Sequence, residues 1–208
     1  MEGIFAVNKP KGMTSHDVVN IVRKKTGVKR VGHGGTLDPM AQGVLVIAVG
    51  RENTKQLDQY VKGEKEYIAE ITLGAISDTY DAEGEIQNAN KNTKPDISDI
   101  DKLSNLFTGN IDQIPPIYSS VKIKGKPAHR RVRKGEKIEL ESRPVFVKSI
   151  DILDYHYPVL KLKIITGPGV YIRSIAHDLG QLLKTGAYLS ALTRTKVGKF
   201  TLKEAINL

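Results

Sequence analysis

The chain has 208 residues, no cysteine, 39% hydrophobic residues and a formal net charge of +9. This length and composition predict one domain, or a domain with a small appendage, that buries a sizeable core. The lack of cysteine excludes disulfides, thiolate nucleophiles and zinc–thiolate sites. No apolar run is long enough for a transmembrane helix, and the N-terminal residues lack the plan of a signal peptide. We therefore expect a soluble, cytoplasmic protein.

The N-terminal third of the chain predicts three strands and a helix. Thr14 and Asp17 resemble a capping box that begins the helix, and Gly27 is suited to end it. The continuous apolar run at 44–49 is typical of a buried strand, whereas the alternation at 67–73 indicates a half-buried one. In chain order the predicted elements are strand 3–8, helix 15–26, strand 44–49, a helix or loop over 50–63, and strand 67–73.

The remainder of the chain adds longer strands and a second clear helix. Prolines 115 and 116 exclude a helix interior or a central strand over 113–116. The mixture of antiparallel strands with a few helices predicts an α+β fold. The predicted elements are an acidic turn at 78–84, a short strand from Ile86, a surface loop over 88–95, a helix capped by Ser98 with Ile100, Leu103, Leu106 and Phe107 on one side, strands 145–155 and 159–165, and helix 171–183.

A glycine-rich stretch, residues 32–45, precedes and enters the buried strand. Gly32, Gly34 and Gly35 indicate backbone geometries that other residues resist, and Asp38 stands directly before a proline. The stretch predicts an ordered loop that carries His33 and Asp38 and is anchored to the core by the apolar run at 44–49. The alternative is a plain turn in which Asp38 only caps or hydrogen-bonds its own backbone.

The positive charge is concentrated in one segment. Residues 122–137 contain eight lysines and arginines and one glutamate, so this basic segment carries most of the net charge of the chain. Such a patch suits the binding of a phosphate backbone. A solvated, lysine-rich surface loop would have the same composition.

Other chemistries have no support in the sequence. The five histidines lack the spacing of metal ligands, so no metal site is predicted. The glycine stretch matches neither a phosphate-binding loop nor a dinucleotide fingerprint. What remains is an acid in a glycine loop, a basic segment, and aromatic residues able to stack on bases. These features suit an RNA-directed enzyme without a cofactor and an RNA-binding module equally well.

Six short motifs occur in order over residues 4–200. They are Asn8-Lys9-Pro10-x-Gly12-x-Thr14-Ser15; the glycine stretch from Gly32 to Leu45; Lys65-Glu66-Tyr67-x-Ala69 with Leu73-Gly74 and Asp78-Thr79-x-Asp81-x-x-Gly84; Gln113-x-Pro115-Pro116-x-Tyr118-Ser119-Ser120-x-Lys122; Tyr171-Ile172-Arg173-Ser174-Ile175-Ala176-x-Asp178-Leu179-Gly180; and Leu192-x-Arg194-Thr195-x-x-Gly198-x-Phe200. Together they resemble the TruB family of tRNA pseudouridine synthases.

The resemblance implies the pseudouridine synthase fold, a mixed, largely antiparallel sheet flanked by helices and loops. It implies conversion of uridine to pseudouridine at position 55 in the T loop of tRNA. The N1–C1′ bond breaks, the uracil turns, and C5 bonds to C1′. Because nothing is added or removed, no cofactor and no metal are expected. The implied partner is the T stem-loop of tRNA, bound by a monomer without a membrane or a protein partner.

The resemblance also assigns roles to single residues. Asp38 matches the catalytic aspartate, which acts in its ionised form as nucleophile or base. Arg173 matches the arginine that pairs with this aspartate and keeps it charged. Tyr67 matches the tyrosine that stacks on the target base and helps to remove the C5 proton. The supporting residues are His33, which fills the space of the flipped base; Lys9, which supports the cleft; and Leu192, which lines the base pocket.

The basic segment 122–137 matches the RNA-gripping thumb of the family. The sequence departs from the family pattern at Gly34, where threonine is usual, and we expect a looser loop there. It departs again at His129, Val132, Val170 and Thr193. The candidate RNA-binding residues of the thumb are Lys122, Lys124, Lys126, Arg130, Arg131, Arg133 and Lys134.

The chain ends at Leu208, where most bacterial members of the family carry a PUA-type domain. We expect a single catalytic domain over 1–208 without that domain, and weaker, more salt-dependent tRNA binding. The alternative function is an RNA-binding or RNA-folding protein with secondary or lost catalysis. A weaker alternative is a guide-RNA-dependent synthase of the archaeal type. The presence of Asp38, Tyr67 and Arg173 together favours the enzyme, because a pure binder does not need all three.

Overall fold

The computed structural model describes residues 2–89, 94–123, 125–132, 135–136 and 138–208, and only the backbone at Lys122, Ile123, Lys126, Pro127, His129 and Arg130. The chain forms two compact units. The first unit comprises Met1–Ala69, Lys163–Pro168 and Ala191–Leu208, and the second comprises Glu70–Leu162 and Gly169–Ser190. None of the helices in the described residues is long and apolar enough to span a membrane.

Strands and helices alternate irregularly along the chain. The strands are β1 (Gly3–Lys9), β2 (Val31–Gly34), β3 (Gln42–Val49), β4 (Lys65–Leu73), β5 (Ala75–Ser77), β6 (Ile86–Asn88), β7 (Gly109–Gln113), β8 (Lys122–Ile123), β9 (Lys126–Pro127), β10 (Arg143–His156), β11 (Val159–Thr166), β12 (Ala187–Val197), β13 (Phe200–Thr201) and β14 (Ile206–Asn207). The α-helices are α1 (Ser15–Thr26), α2 (Arg51–Val61), α3 (Ile97–Ser104), α4 (Ala128–Val132) and α5 (Ile172–Leu182), and short 3-10 helices cover Asn105–Phe107 and Leu202–Glu204.

The first unit contains a mixed sheet in the order β14-β1-β3-β12. Strand β1 pairs antiparallel with β3 and parallel with β14, and β12 runs parallel to β3, with Arg194 opposite Gly43. Strands β4, β11 and β12 contribute residues to both units. The mixed sheet and the accompanying helices confirm the predicted α+β class.

Strand β3 is buried on both faces, which explains its continuous apolar sequence. Its residues Leu45, Ile47 and Val49 pack with the valines of α1. Its residues Val44, Val46 and Ala48 pack on the other face with Leu57 of α2. The predicted buried strand is therefore confirmed, and helices cover it from both sides.

Helix α1 begins and ends as predicted. The Thr14 hydroxyl accepts a hydrogen bond from Asp17 N, and the Asp17 carboxylate accepts one from Thr14 N at 2.9 Å. Gly27 takes the left-handed conformation (φ 71°) at the C-cap and donates to Arg23 O. Both ends are encoded locally, which is why the sequence alone located them.

The second unit holds the antiparallel pair β10·β7, the hairpin β5·β6, and helices α3 and α5. The predicted helix 171–183 is confirmed as α5, except that Leu182 is 47% exposed instead of belonging to the buried stripe. Strand β7 was not predicted, because its sequence Gly-Asn-Ile-Asp-Gln has little apolar signal.

The prediction for α3 was partly wrong. Asp96, not Ser98, occupies the N-cap, and Ser98 lies within the helix. Ile100 is buried as expected, but Leu106 follows in a 3-10 turn and is 62% exposed. Both Asp96 and Ser98 are residue types that cap helices, so local sequence does not choose between them. Of the predicted loop 88–95, Asn88 instead ends strand β6, and residues 90–93 lie outside the described residues.

Candidate active site

Asp38 lies in the first unit and is half-buried. It belongs to the segment that joins β2 to β3, residues 35–41, which we call the Asp38 segment. Hydrogen bonds join this segment to the first residue of α1 and to the turn before it. The Ser15 hydroxyl accepts a hydrogen bond from Leu37 N and donates one to Leu37 O, both at 2.9 Å. Gly12 N donates to Pro39 O at 2.8 Å. The residues before and after Asp38 are therefore both held by buried or backbone groups.

Lys9, at the end of β1, forms further hydrogen bonds to this region. Its side chain is fully buried, and its ammonium donates to Met13 O at 2.6 Å, to Pro10 O at 3.0 Å and to Pro39 O at 3.4 Å. A buried ammonium requires such acceptors, and here they belong to the turn before α1 and to the neighbour of Asp38. The predicted support of the cleft by Lys9 stays a prediction.

Arg194 of β12 holds the opposite side of the Asp38 segment. Its Nη2 donates to Gly35 O at 3.0 Å, its Nη1 to Thr36 O at 3.3 Å, and its Nε to Val44 O at 2.8 Å. The side chain is only 2% exposed. One guanidinium thus joins the beginning of the segment to strand β3.

Tyr67 reaches the same guanidinium from β4. Glu66 and Thr195 are hydrogen-bonded at 2.7 Å, and successive side chains of a strand point to opposite faces. Their neighbours Tyr67 and Arg194, both buried, therefore share the other face. Burial lowers the pKa of Arg194, whereas its hydrogen bond to the Tyr67 hydroxyl and the charge of Asp38 raise it. Arg194 thus interacts with both predicted catalytic residues of this unit.

His33 and Leu192 also lie in the first unit. Leu192 is 8% exposed and precedes Arg194 on β12. His33 is half-buried on β2, not in a loop as predicted, and its Nδ1 has no hydrogen-bond partner among the described residues. Burial lowers the pKa of His33, and the positive charges of Arg194 and His16 lower it further. The neutral imidazole is favoured in this position.

The interpretation of the glycine stretch needs a second correction. Gly35 has a positive φ of 73°, as expected, but Gly32 and Gly34 belong to β2 and do not. A Cβ on Gly34 would overlap the Val61 side chain of α2, so the residue is small because the helix packs closely against it. The expected looseness at Gly34 was wrong, since this glycine is a packing position in a strand.

Lys65 is a further buried lysine of the first unit. It is 7% exposed and donates to Val61 O at 2.7 Å and to Gly63 O at 3.1 Å, at the end of α2. Burial, assisted by the charge of Arg194, lowers the pKa of Lys65 to about 8. Sequence analysis placed this lysine in a motif but gave it no role.

Arg173 lies in the second unit, on α5, and is 5% exposed. Its Nη1 donates to the Asp81 carboxylate at 3.1 Å and to Thr79 O at 3.2 Å, and its Nη2 donates to Tyr118 O at 3.0 Å. Asp81 is itself buried and accepts from the Thr79 hydroxyl and from Glu83 N. Arg173 therefore organises the acidic turn at 78–84. Its predicted role toward Asp38 stays a prediction.

A stacked pair joins the same turn to the same helix. The rings of Tyr80 and His177 lie 3.8 Å apart at an interplanar angle of 10°. Tyr80 has a φ of 64°, which is unusual for a residue with a bulky side chain. Burial lowers the pKa of His177, so the neutral ring is favoured in the stack. The turn is thus held by an ion pair and by an aromatic contact.

The basic segment is described only in part. Arg131 on α4 forms an ion pair with Glu136 at 2.6 Å, so its guanidinium is engaged within the segment. Lys122, Lys126 and Arg130 are placed by their backbone on β8, β9 and α4. The predictions for Lys124, Arg133 and Lys134 lie outside the described residues. Among the described residues, no group of three or more histidine, aspartate and glutamate side chains is placed to hold a metal ion.

Sequence reasoning quoted Arg194 within a motif but assigned it no role. The available signal is a charged residue at an inward position of a strand, between buried Leu192 and buried Val197. Such a residue must find buried acceptors. The sequence does not reveal that these acceptors are Gly35 O, Thr36 O and Val44 O, about 150 residues earlier.

Comparison with known proteins supplies further information. Residues 23–172 match the model of the TruB family pseudouridylate synthase N-terminal domain, and residues 173–208 match that of the tRNA pseudouridylate synthase B C-terminal domain. The chain is 46% identical to a tRNA pseudouridine synthase B of Protochlamydia amoebophila, over the whole chain and 78% of that relative. It is 42% identical to one of Chlamydia abortus, over 99% of the chain and 87% of that relative.

Solved structures resemble the chain as well. A Cbf5-Nop10-Gar1 complex matches with a TM-score of 0.77 and 29% identity over 99% of the chain. An H/ACA RNP bound to a substrate RNA containing 2′-deoxyuridine matches with a TM-score of 0.72 and 27% identity. The chain spans about half the length of these two structures' matching chains, 52% and 50%. Because the family model covers most of the sequence and the relatives align along its full length, the chain belongs to the TruB family of pseudouridylate synthases.

Proposed function

We propose that this chain converts uridine to pseudouridine in tRNA, at position 55 of the T loop, with Asp38 as the catalytic group. The relatives that align with the whole chain are tRNA pseudouridine synthases, which supports the reaction and the substrate class. The reaction is an isomerisation: the N1–C1′ bond breaks, C5 bonds to C1′, C5 loses its proton and N1 gains one. We propose that the protein acts as a cytoplasmic monomer.

The observation that carries this proposal is the set of hydrogen bonds that hold the Asp38 segment on both sides of Asp38. Ser15, Gly12 and Lys9 hold Leu37 and Pro39, and Arg194 holds Gly35 and Thr36. A plain turn on the surface has no need of two buried cations. A catalytic carboxylate does, because its geometry toward the sugar and base must be fixed before substrate arrives.

The neighbours of Asp38 suit the chemistry of an ionised carboxylate. The charge of Asp38 acts on buried Arg194, so the pair combines a carboxylate with a fixed guanidinium cation. Tyr67, 6% exposed on the same face of the sheet as Arg194, is proposed to stack on the target base. On the family resemblance, Arg173 supplies a further cation, His33 fills the space that the flipped base leaves, and Leu192 lines the pocket.

Binding of the tRNA backbone is proposed to fall to the basic segment 122–137. Its excess of lysine and arginine provides counter-charges for phosphates. Because Arg131 is paired with Glu136 in the free protein, we expect the other basic residues of the segment to make the stronger phosphate contacts.

The test is the position-resolved mapping of pseudouridine in an unmodified tRNA transcript, for the wild type and for Asp38→Asn. We expect modification of the T-loop uridine by the wild type and a loss of at least about 10³-fold in rate for the variant, because the catalytic group is removed. Asp58→Asn is the matched control. It makes the same chemical change at an exposed residue of α2, elsewhere in the unit.

A folded wild-type protein that binds tRNA but forms no pseudouridine would contradict the enzymatic proposal. That result would favour the alternative, an RNA-binding or RNA-folding protein. Modification of a uridine outside the T loop would retain the reaction but overturn the proposed target. An equally active Asp38→Asn variant would remove Asp38 from the mechanism.

A further inference from the structure

One guanidinium interacts with both predicted catalytic residues of the first unit. Arg194 donates to Gly35 O and Thr36 O, which lie at the beginning of the Asp38 segment, and to Val44 O of β3. It also donates to the Tyr67 hydroxyl and is attracted by Asp38. The contacts described for this side chain thus go to the Asp38 segment, to the strand after that segment, and to Tyr67.

The geometry of the group makes these contacts interdependent. A guanidinium is planar and carries five N–H donors in fixed directions, of which three are used by the carbonyls. A hydroxyl that accepts a further one must direct its own proton elsewhere, which restricts the direction of the Tyr67 O–H bond. A shift of the segment at Gly35 would therefore also displace the Tyr67 hydroxyl.

We propose that Arg194 is a positioning residue for the reaction, which sets the Asp38 segment and the Tyr67 hydroxyl relative to each other through one rigid group. The inference rests on the proposed function, in which Asp38 and Tyr67 act on the target uridine. It adds a residue that does not itself touch the reacting atoms.

A purely structural role would explain the site less well. A guanidinium at 2% exposure is costly to bury, and an apolar residue would fill a sheet interior at lower cost. Strand β12 also approaches β3 closely at this residue: a Cβ on Gly43 would overlap the backbone of Arg194, and Gly43 has a φ of 105°. The strands are thus adapted to carry this residue beside the segment.

The decisive variant is Arg194→Lys, which keeps the charge but loses the planar fork. The readout is the single-turnover rate constant of pseudouridine formation in a tRNA transcript at saturating enzyme, with tRNA affinity measured separately. The matched control is Arg23→Lys. Arg23 also donates to two backbone carbonyls, those of Lys29 and Val31, but these lie before and at the start of β2, whereas Asp38 follows the end of β2.

We expect Arg194→Lys to lower the single-turnover rate constant by about 10²-fold, with tRNA affinity within about threefold of the wild type. Arg23→Lys should leave both unchanged. A merely structural defect would instead reduce the reacting fraction, that is the amplitude, and leave the rate constant of the folded molecules at the wild-type value. That result would overturn the proposal.

A second pair of variants decides the matter if Arg194→Lys does not fold. Tyr67→Phe removes only the hydroxyl that accepts from Arg194, and Tyr155→Phe removes a hydroxyl that donates to Pro95 O. Because the first leaves a buried charged donor unpaired, we expect its Tm to fall about 4 °C further than that of the control. Equal Tm values for the two variants would overturn the proposal.

Failure of the Arg194 proposal can be distinguished from failure of the proposed function. If the wild type forms no pseudouridine, the proposed function itself has failed. If the wild type is active and Asp38→Asn is not, the function stands, and an unchanged rate constant for Arg194→Lys refutes the positioning role alone.

Discussion

At the scale of single residues, Gly34 shows how a small side chain can be required by packing instead of by backbone conformation. Its φ is not positive, yet a Cβ there would overlap Val61 Cγ1 and lie 3.3 Å from Leu57 Cδ2. We predict that Gly34→Ala destabilises the protein by about 1–3 kcal/mol, because α2 must move away from β2. Urea unfolding measures this change.

Gly32→Ala is the matched control for that prediction. It lies on the same strand, and its Cβ would lie 3.3 Å from Leu57 Cδ1 and 3.5 Å from Thr54 Cγ2, contacts that small adjustments relieve. We expect a smaller loss of stability than for Gly34→Ala. Equal losses would show that overlap with Val61 is not the cause.

At the scale of elements, Lys65 joins the end of α2 to the beginning of β4. Its pKa is about 8 in the folded protein, below the ordinary value of about 10.4 in an unfolded chain. Between these values the unfolded state binds more protons, so stability rises with pH. We predict that the stability of the wild type, relative to Lys65→Met, increases by about 2 kcal/mol from pH 7 to pH 9.5.

Urea unfolding of both proteins at the two pH values measures this difference. The methionine variant has no ionisable group at this position, so effects of other residues cancel in the comparison. A difference in stability that does not change with pH would mean that Lys65 keeps its ordinary pKa in the folded state.

The elements also show what the sequence could predict. Helix α1 and strand β3 were located correctly, because a capping box, a C-cap glycine and an apolar run are local signals. The Asp38 segment was located as well, but the reason for its order was not. Its order depends on hydrogen bonds with Ser15 and Arg194, whose partners are 22 and 159 residues distant in sequence. Local patterns do not encode such pairs.

At the scale of the whole molecule, the net charge of +9 resides largely in the basic segment 122–137. We predict that the double variant Lys122→Gln/Lys126→Gln binds tRNA with a salt dependence that is less steep by about 1.5 in the slope of log K against log salt. The variant is expected to make two fewer phosphate contacts, so binding releases fewer counterions from the tRNA. Filter binding across a salt series measures the slope.

The double variant Lys161→Gln/Lys163→Gln is the control, since it removes the same charge. These lysines of β11 are already paired with Glu70 and Glu66. We expect an unchanged slope for this control. An equal reduction in both variants would indicate that overall charge, and not the basic segment, governs binding to tRNA.

Contacts between residues that are far apart in the sequence form late, because the chain is synthesised from its N-terminus. Strand β1 pairs with β14, where Asn8 and Asn207 are separated by 199 residues, and Arg194 follows Thr36 by 158 residues. Contacts this far apart form slowly, because the entropy of a long loop is lost before they contribute. During translation the Asp38 segment leaves the ribosome soon after its partners Lys9, Gly12 and Ser15, whereas its contacts with Arg194 must wait for β12. The contacts around Asp38 described above are therefore complete only after β12 has been made.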